Sequence, residues 1–521
     1  MEAIHTNFQI IDWVVLIGYL GLTTLVGHAM RGKQATIKDF FLAGRSLPWP
    51  AVCASIIATE ISALTFIGVP GIVFAAGGDF TYLQWAFGSV VARLIVGIWL
   101  TKVFYEREIF SPYDYMANRL GPGVKVLTTA MFTLGTILGQ SVRVLVTALI
   151  LKTVTPFGMT ESIVAITLFA IGWTLMGGMT TVIWTDAMQF VLFLFSGLLA
   201  LGWIITHLDG GFAQLTTVAG EAGKMTLWNL STDPDVQFTL WVALIAMPFQ
   251  NLAAFGTDQL NAQRMFCCKN AGDARKAIIV SCFSQVITVL MLFVGAGLFV
   301  WYQQFTPSAA AAASFAEDAD NVFPVWITTV LPPGLTGLVL AGAFAAAISS
   351  LDSALAALSQ TTLSVIHGGK SLEEGDTQRL LRHSRIAVVI WGVFLAGAAF
   401  VLYAIKTYGN IDILSLAFGM VAYTYGPMLG ILLLALARVP ARIEGLWLGV
   451  GLSLLLTAVV RPDFYVILRS LGMMSAETMA AARPAISFVW LYPVTCLLTV
   501  ACGALINRRR DDVVPAPPTT A

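Results

Sequence analysis

Charge is what this sequence has least of. Asp, Glu, Lys and Arg make up 11% of its 521 residues, under half the roughly 25% usual in a soluble globular domain. A soluble chain of this length needs far more polar surface than that to cover its cores. Soluble enzymes, nucleic-acid binders and disordered scaffolds are thereby excluded. Lys+Arg and Asp+Glu tie at 29 each, so net charge points to no partner. Cysteine and histidine are scarce as well. The six cysteines fall in apolar segments or in a loop read as cytoplasmic, which argues against disulfides. The five histidines lie in the N-terminal tail or at segment ends, and the chain has no CxxC pair, HExxH helix or GxSxG elbow. The expectation is a protein that is not an enzyme, has no catalytic residues and binds no nucleic acid.

What is abundant is apolar sequence: 57% of residues are hydrophobic and the mean hydropathy is +0.81. A run of about 20 such residues crosses the roughly 30 Å hydrocarbon core of a bilayer. Thirteen runs qualify, at 11–30, 47–76, 80–104, 123–151, 159–177, 180–206, 237–262, 275–303, 334–364, 385–405, 410–437, 443–460 and 485–506. The first starts with Asp12 rather than basic residues and has no small-residue cleavage site, so it reads as a retained helix. The tail 507–521 reads as disordered. With the N-terminus outside, inward loops hold 21 Lys and Arg and outward loops hold 6, a strong positive-inside bias. The expected architecture is all-α and membrane-embedded, N-out and C-in.

Two segments differ from the rest. The second carries Glu60, Ser62 and Thr65 at its centre, followed by Gly68, Pro70 and Gly71; unwinding is expected over 62–68. The seventh carries Pro248, Gln250, Asn251, Gly256 and Asp258. Small, polar and helix-breaking residues at mid-bilayer are tolerated only where freed backbone groups line a cavity or contact protein. A pair of interrupted helices five apart in order points to an inverted repeat with a midplane binding site. Setting 11–30 aside as an extra N-terminal helix leaves five-helix repeats at 47–206 and 237–437. Two trailing helices follow at 443–506, all within one transporter domain spanning 1–521.

Six ionisable residues fall inside predicted helices: Glu60, Arg93, Arg143, Asp186, Asp258 and Asp352. Each costs roughly 2.5 kcal/mol or more to insert, so function is the default reading. Arg93 and Asp258 lie within reach of a helix end and read as structural. Glu60, Arg143 and Asp186 read as functional, with an Arg143–Glu60 ion pair as the alternative. The ninth segment holds adjacent hydroxyls, Ser349 and Ser350. Spacing alone leaves two readings open, small-residue packing and an oxygen site for a hard cation.

Six stretches carry a resemblance: DFFLAGRSLPW (39–49), SIIATEISALTFIGVPG (55–71), SPYDYMANRLG (111–121), GGMTTVIWTDAMQ (177–189), TDQLNAQR (257–264) and ISSLDSAL (348–355). In order and spacing the chain resembles the sodium:solute symporter family over nearly its full length. The resemblance implies the LeuT-like inverted repeat and a main sodium site. That site is formed by the backbone carbonyls of Ala58, Ile61 and Ala346 and the hydroxyls of Ser349 and Ser350. Asp186, in the WTD motif, matches an acid that serves ion coupling or a second sodium in some members, which carry a third hydroxyl where this chain has Ala346. Glu60 falls where some members have an acid implicated in sodium binding. The resemblance also implies a substrate pocket lined by Glu60, Ser62, Thr65, Gln84, Arg143, Asn251 and Phe255. Sugar carriers are similar at Asn251 and Phe255 but have larger aromatics at the positions of Ala253 and Ala254. Carriers of acidic sugars or organic acids are similar at Arg143 and Gln84, and a buried guanidinium is a rigid fork suited to a carboxylate.

The expected function is therefore sodium-coupled import of a small organic solute by alternating access. The solute expected is a carboxylate-bearing one, either a sialic acid-like sugar acid or a monocarboxylate. A proline-type amino acid, a neutral sugar, or proton coupling on the same fold are the alternatives. The expected partners are the solute, Na+ and the lipid bilayer. The chain is expected to act as a monomer, multi-pass in a bacterial-type plasma (inner) membrane.

Overall fold

A backbone surrounded by hydrocarbon must satisfy its own hydrogen bonds, and in a single segment only a helix does so. The computed structural model follows that rule. It describes residues 6–506 apart from 31–38, 40–41, 107–108, 110, 176–177, 368–376, 410, 476–477 and 479–483; the tail 507–521 lies outside the described residues. Among the described residues, β pairing is confined to an isolated bridge between Leu47 and Cys268.

The helices used below are α1 (Ile10–Ala29), α2 (Trp49–Glu60), α3 (Ala63–Phe74), α4 (Thr81–Tyr105), α5 (Gly123–Val154), α6 (Met159–Thr174), α7 (Met179–His207), α8 (Met247–Gly256), α9 (Gln259–Phe266), α10 (Ala271–Gln304), α11 (Leu335–His367), α12 (Thr377–Gly409), α13 (Ile413–Ala437), α14 (Ile443–Val460) and α15 (Leu491–Leu505). Among the described residues, ten helices are long and apolar enough to cross a membrane, and α2 with α3 makes an eleventh span bent by 52°. Two of the thirteen expected crossings fall short of that length. One is α6; the other, Val242–Gly256, is cut off by a break at Thr257–Asp258.

Both expected interruptions are present, each narrower than the sequence suggested. Ile61 and Ser62 are extended, and helix resumes at Ala63 because the Ser62 hydroxyl accepts from the Leu64 amide at 3.3 Å. Unwinding therefore spans 61–62, not 62–68. The glycines of α3 serve close packing instead. A Cβ at Gly68 would sit 2.9 Å from Leu414 Cγ, and one at Gly71 would sit 2.9 Å from Asp320 Oδ1. The second break falls at the end of its polar stretch, where Asp258 caps α9 by accepting from the Leu260 amide at 2.9 Å. Pro248 follows the π-helical turn Val242–Ala246 inside the helix Val242–Gly256, where its missing N–H interrupts the i→i−4 ladder.

These breaks are held by their neighbours. The α2 helix packs against α7 through Ser55 and Asp186 and against α11 through Thr59 and Ser350. Gly88 of α4 lies against Met247 of α8, and Gly135 of α5 against Thr424 of α13. The α1 helix turns Ile10, Val14 and Leu25 outward, as a lipid-facing helix does, while Asp12 is wholly buried. The Asp12 carboxylate accepts from the amides of Gly334 and Gly337 at 2.7 and 2.6 Å, pinning α1 to the positive end of α11.

Candidate functional site

At the first break, backbone oxygens lose their usual donors. The last helical bond of α2 runs from the Ile61 amide to Ile57, and the Thr65 amide turns to the Ser62 carbonyl. The carbonyls from Ala58 to Ile61 thus end a helix without the amides four residues on. On α11, Ser350 Oγ lies 3.4 Å from the Thr59 carbonyl and 3.3 Å from the Ala346 carbonyl. Ser349 Oγ donates to Asp186 at 2.5 Å. A hydroxyl whose proton is taken by a carboxylate turns its lone pairs the other way, so Asp186 leaves Ser349 an oxygen donor for a cation. Ala58, Ile61, Ala346, Ser349 and Ser350 are all buried.

Asp186 also holds donors from two other helices. Its carboxylate accepts from Ser55 Oγ at 2.5 Å, from Arg264 Nη2 at 3.0 Å and from Ser349. Arg264 falls between the apolar runs 237–262 and 275–303, in an inward loop by hydropathy, but it is 1% exposed, because α9 continues past the break and holds it at depth. It also donates to the Leu260 carbonyl at 2.7 Å, to Ser55 Oγ at 2.9 Å and to Ser353. Asp352 lies in the same cluster, bonded through Oδ1 to Ser353 at 3.1 Å, with Oδ2 buried and unpartnered.

Beside this cluster lies a cavity of about 170 Å³. Its walls come from both breaks and from α4, α5, α10 and α13. Of the expected pocket residues, Glu60, Thr65, Arg143, Asn251 and Phe255 line it, together with Ile61. Ser62 and Gln84 do not: Ser62 is spent as a cap, and Gln84 points Nε2 at the Thr81 and Phe238 carbonyls, 3.3 Å from each. Sequence reasoning missed the aromatic wall of Tyr82, Trp85, Phe418 and Tyr425. In single-sequence reading an aromatic inside an apolar helix carries no mark of facing a cavity.

The charges in this cavity do not form the alternative Arg143–Glu60 pair. Glu60 binds Arg93, which is fully buried rather than reaching a helix end and also donates to the Ser281 carbonyl and Ser284 Oγ, each at 2.9 Å. Asp258 is buried too, accepting from Tyr425 at 2.7 Å. Arg143 donates only to neutral oxygens, the Thr59 carbonyl at 3.1 Å and Gln140 Oε1 at 3.4 Å. Among the described residues no carboxylate lies within 4 Å of it.

The profile of the sodium:solute symporter family matches residues 40–449. The sodium/sialic acid symporter SiaT of Proteus mirabilis (strain HI4320) is 27% identical over 486 residues, 91% of this chain and 95% of that protein. The sodium-coupled monocarboxylate transporter 1 of Homo sapiens is 27% identical over 460 residues, 86% of this chain and 73% of that protein. The fold matches a solved Na+-coupled sialic acid symporter in a substrate-bound, outward-open state. The TM-score is 0.78 at 24% identity, covering 96% of this chain and 97% of that one. It matches more loosely a nucleobase-cation-symport-1 family transporter, with a TM-score of 0.51 at 14% identity, covering 88% and 97%. With two broken helices around a central polar cavity and a family profile over most of its length, the chain belongs to the sodium:solute symporter family, multi-pass membrane transporters that use Na+ as the coupling ion.

Proposed function

We propose that this protein imports a small carboxylate-bearing solute together with sodium. The observation that carries the reading is Arg143, a guanidinium at the wall of the central cavity with donors to spare and only neutral oxygens as its hydrogen-bond partners. Holding an unpaired cation in a low-dielectric site is costly, and a substrate anion removes that cost. The relatives named for sialic acid and for monocarboxylates support the same class.

Sodium binds the carbonyls of Ala58, Ile61 and Ala346 and the hydroxyls of Ser349 and Ser350. The ion ties α2 to α11 and favours the outward-facing state. Substrate settles beside it between the two breaks, Arg143 toward its carboxylate and Thr65, Asn251 and Phe255 around the rest. The sets 47–206 and 237–437 act as inverted repeats, and one bundle rocks against the other with the N-terminus outside. Coupling is reciprocal: whatever factor sodium adds to substrate affinity, substrate adds to sodium affinity. A monoanion moving with one sodium carries no net charge, so the membrane potential adds nothing to its uptake. The monomer is the working unit, since both sites are built within one chain.

The test is sodium-dependent binding of N-acetylneuraminate, gluconate and propionate to the purified protein, followed by thermal stability in NaCl and in KCl. Stabilisation by a carboxylate in sodium alone, lost in Arg143→Gln, is the expected result. Stabilisation by neutral sugars alone, or equal shifts in both salts, overturns the reading.

A further inference from the structure

Arg143 accounts for a carboxylate, but the cavity presents a second charged group that a plain carboxylate leaves unused. Glu60 lines the cavity with its side chain 26% exposed. Its Oε2 accepts from Arg93, and among the described residues no donor is bonded to Oε1. Arg93 is anchored on its far side by the Ser281 carbonyl and Ser284 Oγ, each at 2.9 Å, and its guanidinium lies 4.5 Å from the centre of the Phe255 ring. Arg93 is therefore fixed, and it fixes Glu60. The pair is neutral as a unit and has lost the net charge that would hold a bare cation, while Oε1 remains a strong acceptor facing the cavity.

A second unpaired acceptor on the wall is closed off from the cavity. Asn261 Oδ1, at the cavity wall, is buried without a partner. Asp258 is the contrast, since both its oxygens are satisfied, by the Leu260 amide and the Tyr425 hydroxyl. Glu60 Oε1 is thus the charged acceptor left open at the wall, and a fitting solute brings a donor to it.

We propose that the solute is a monocarboxylate that also carries hydrogen-bond donors (hydroxyl, amide or ammonium) reaching Glu60 Oε1, with Arg93 the positioning residue that holds this oxygen at the wall. The inference rests on the carboxylate reading of Arg143 and narrows it. A second carboxylate on the solute meets Glu60 and is repelled. A bare alkyl acid satisfies Arg143 and leaves Glu60 Oε1 unpaired.

The experiment measures binding to the full-length purified protein in saturating NaCl, with N-acetylneuraminate, gluconate and proline as donor-bearing acids, propionate as the bare acid and succinate as the diacid. The best donor-bearing acid should bind at least about tenfold tighter than propionate, the worth of one hydrogen bond to a charged group, and succinate should not bind. In Glu60→Gln that preference should shrink about tenfold while the sodium concentration for half-saturation stays the same. Arg93→Lys should weaken the donor-bearing acids and spare propionate, whereas a merely structural role would weaken all alike. Propionate binding as tightly as every donor-bearing acid, or a preference unchanged in Glu60→Gln, overturns the inference and leaves the carboxylate reading standing. If no carboxylate binds, or binding survives in Arg143→Gln, the carboxylate reading fails and takes the inference with it. Should Glu60→Gln not fold, the wild-type panel still decides.

Discussion

Arg264 is the most exacting test of the buried network. Its guanidinium serves Ser55, Leu260, Asp186 and Ser353 and is the cation among two carboxylates, Asp186 and Asp352, both 0% exposed. Arg264→Met removes the charge and roughly keeps the bulk. Leaving Asp186 without its ion-pair partner costs about 3–5 kcal/mol, and the abandoned Leu260 carbonyl adds about 1 kcal/mol or more. At about 2.1 cal/mol/K per residue, a chain of 521 residues loses roughly 1 °C of melting temperature per kcal/mol. The single variant should therefore melt about 4–6 °C below the parent, read by thermal unfolding in detergent at one fixed scan rate. Arg264→Met combined with Asp186→Asn removes both charges, and it should recover at least about 2 °C of that loss. Asp352→Asn alone should be neutral or stabilising, because Asp352 Oδ2 has no hydrogen-bond partner to lose. An Arg264→Met protein that melts within about 1 °C of the parent, or a double variant less stable than that single one, refutes the charge-balance argument.

The serine pair should separate in the same assay. Ser350→Ala gives up only contacts at 3.3 and 3.4 Å, so it should melt near the parent yet need at least about tenfold more sodium for half-maximal uptake. Ser349→Ala also loses the 2.5 Å bond to Asp186 and should lose stability as well as sodium affinity. Asp12→Ala leaves the Gly334 and Gly337 amides without their acceptor; a stability loss of about 1–3 kcal/mol is expected, with sodium affinity unchanged. Asp320, between α10 and α11, gives the fold a pH dependence. Burial, and after it the neighbouring Asp318 and Asp412, push its carboxyl up to about 7 against the pull of Lys406. The folded state then holds a proton that the unfolded chain, near 3.9, has already released. Stability contributed by this group is present at low pH and declines as pH rises toward 7. Melting curves between pH 5.5 and 8.5 should show that decline in the parent and not in Asp320→Asn; parallel curves would refute the assignment.

The sequence made the apolar helices, the two interruptions and the serine pair legible because each is written in a few adjacent residues. Pairings between distant residues are not written that way. Arg93 meets Glu60 across 33 positions and Arg264 meets Asp186 across 78. Arg264 was misplaced for a physical reason. The half-helix α9, eight residues long, is polar at Asn261, Gln263 and Arg264, so the apolar run ends at 262 and hydropathy leaves Arg264 to the loop. What buries it is the break at Asp258, which turns the chain and lets α9 continue at the depth of Ser55 and Ser353. The same break explains the misreading of Asp258, which reads as a helix-end acid and is one, except that the end lies beside the cavity rather than at the membrane surface. Polar residues next to an interrupted helix are therefore best assigned to the site first and to the loop second. Arg143 escaped the ambiguity because it sits mid-way along the unbroken 32-residue helix α5. No turn of the chain can carry it to water, and the carboxylates that share its cavity, Asp258 and Glu60, are bonded to Tyr425 and Arg93, which leaves its spare donors to the solute.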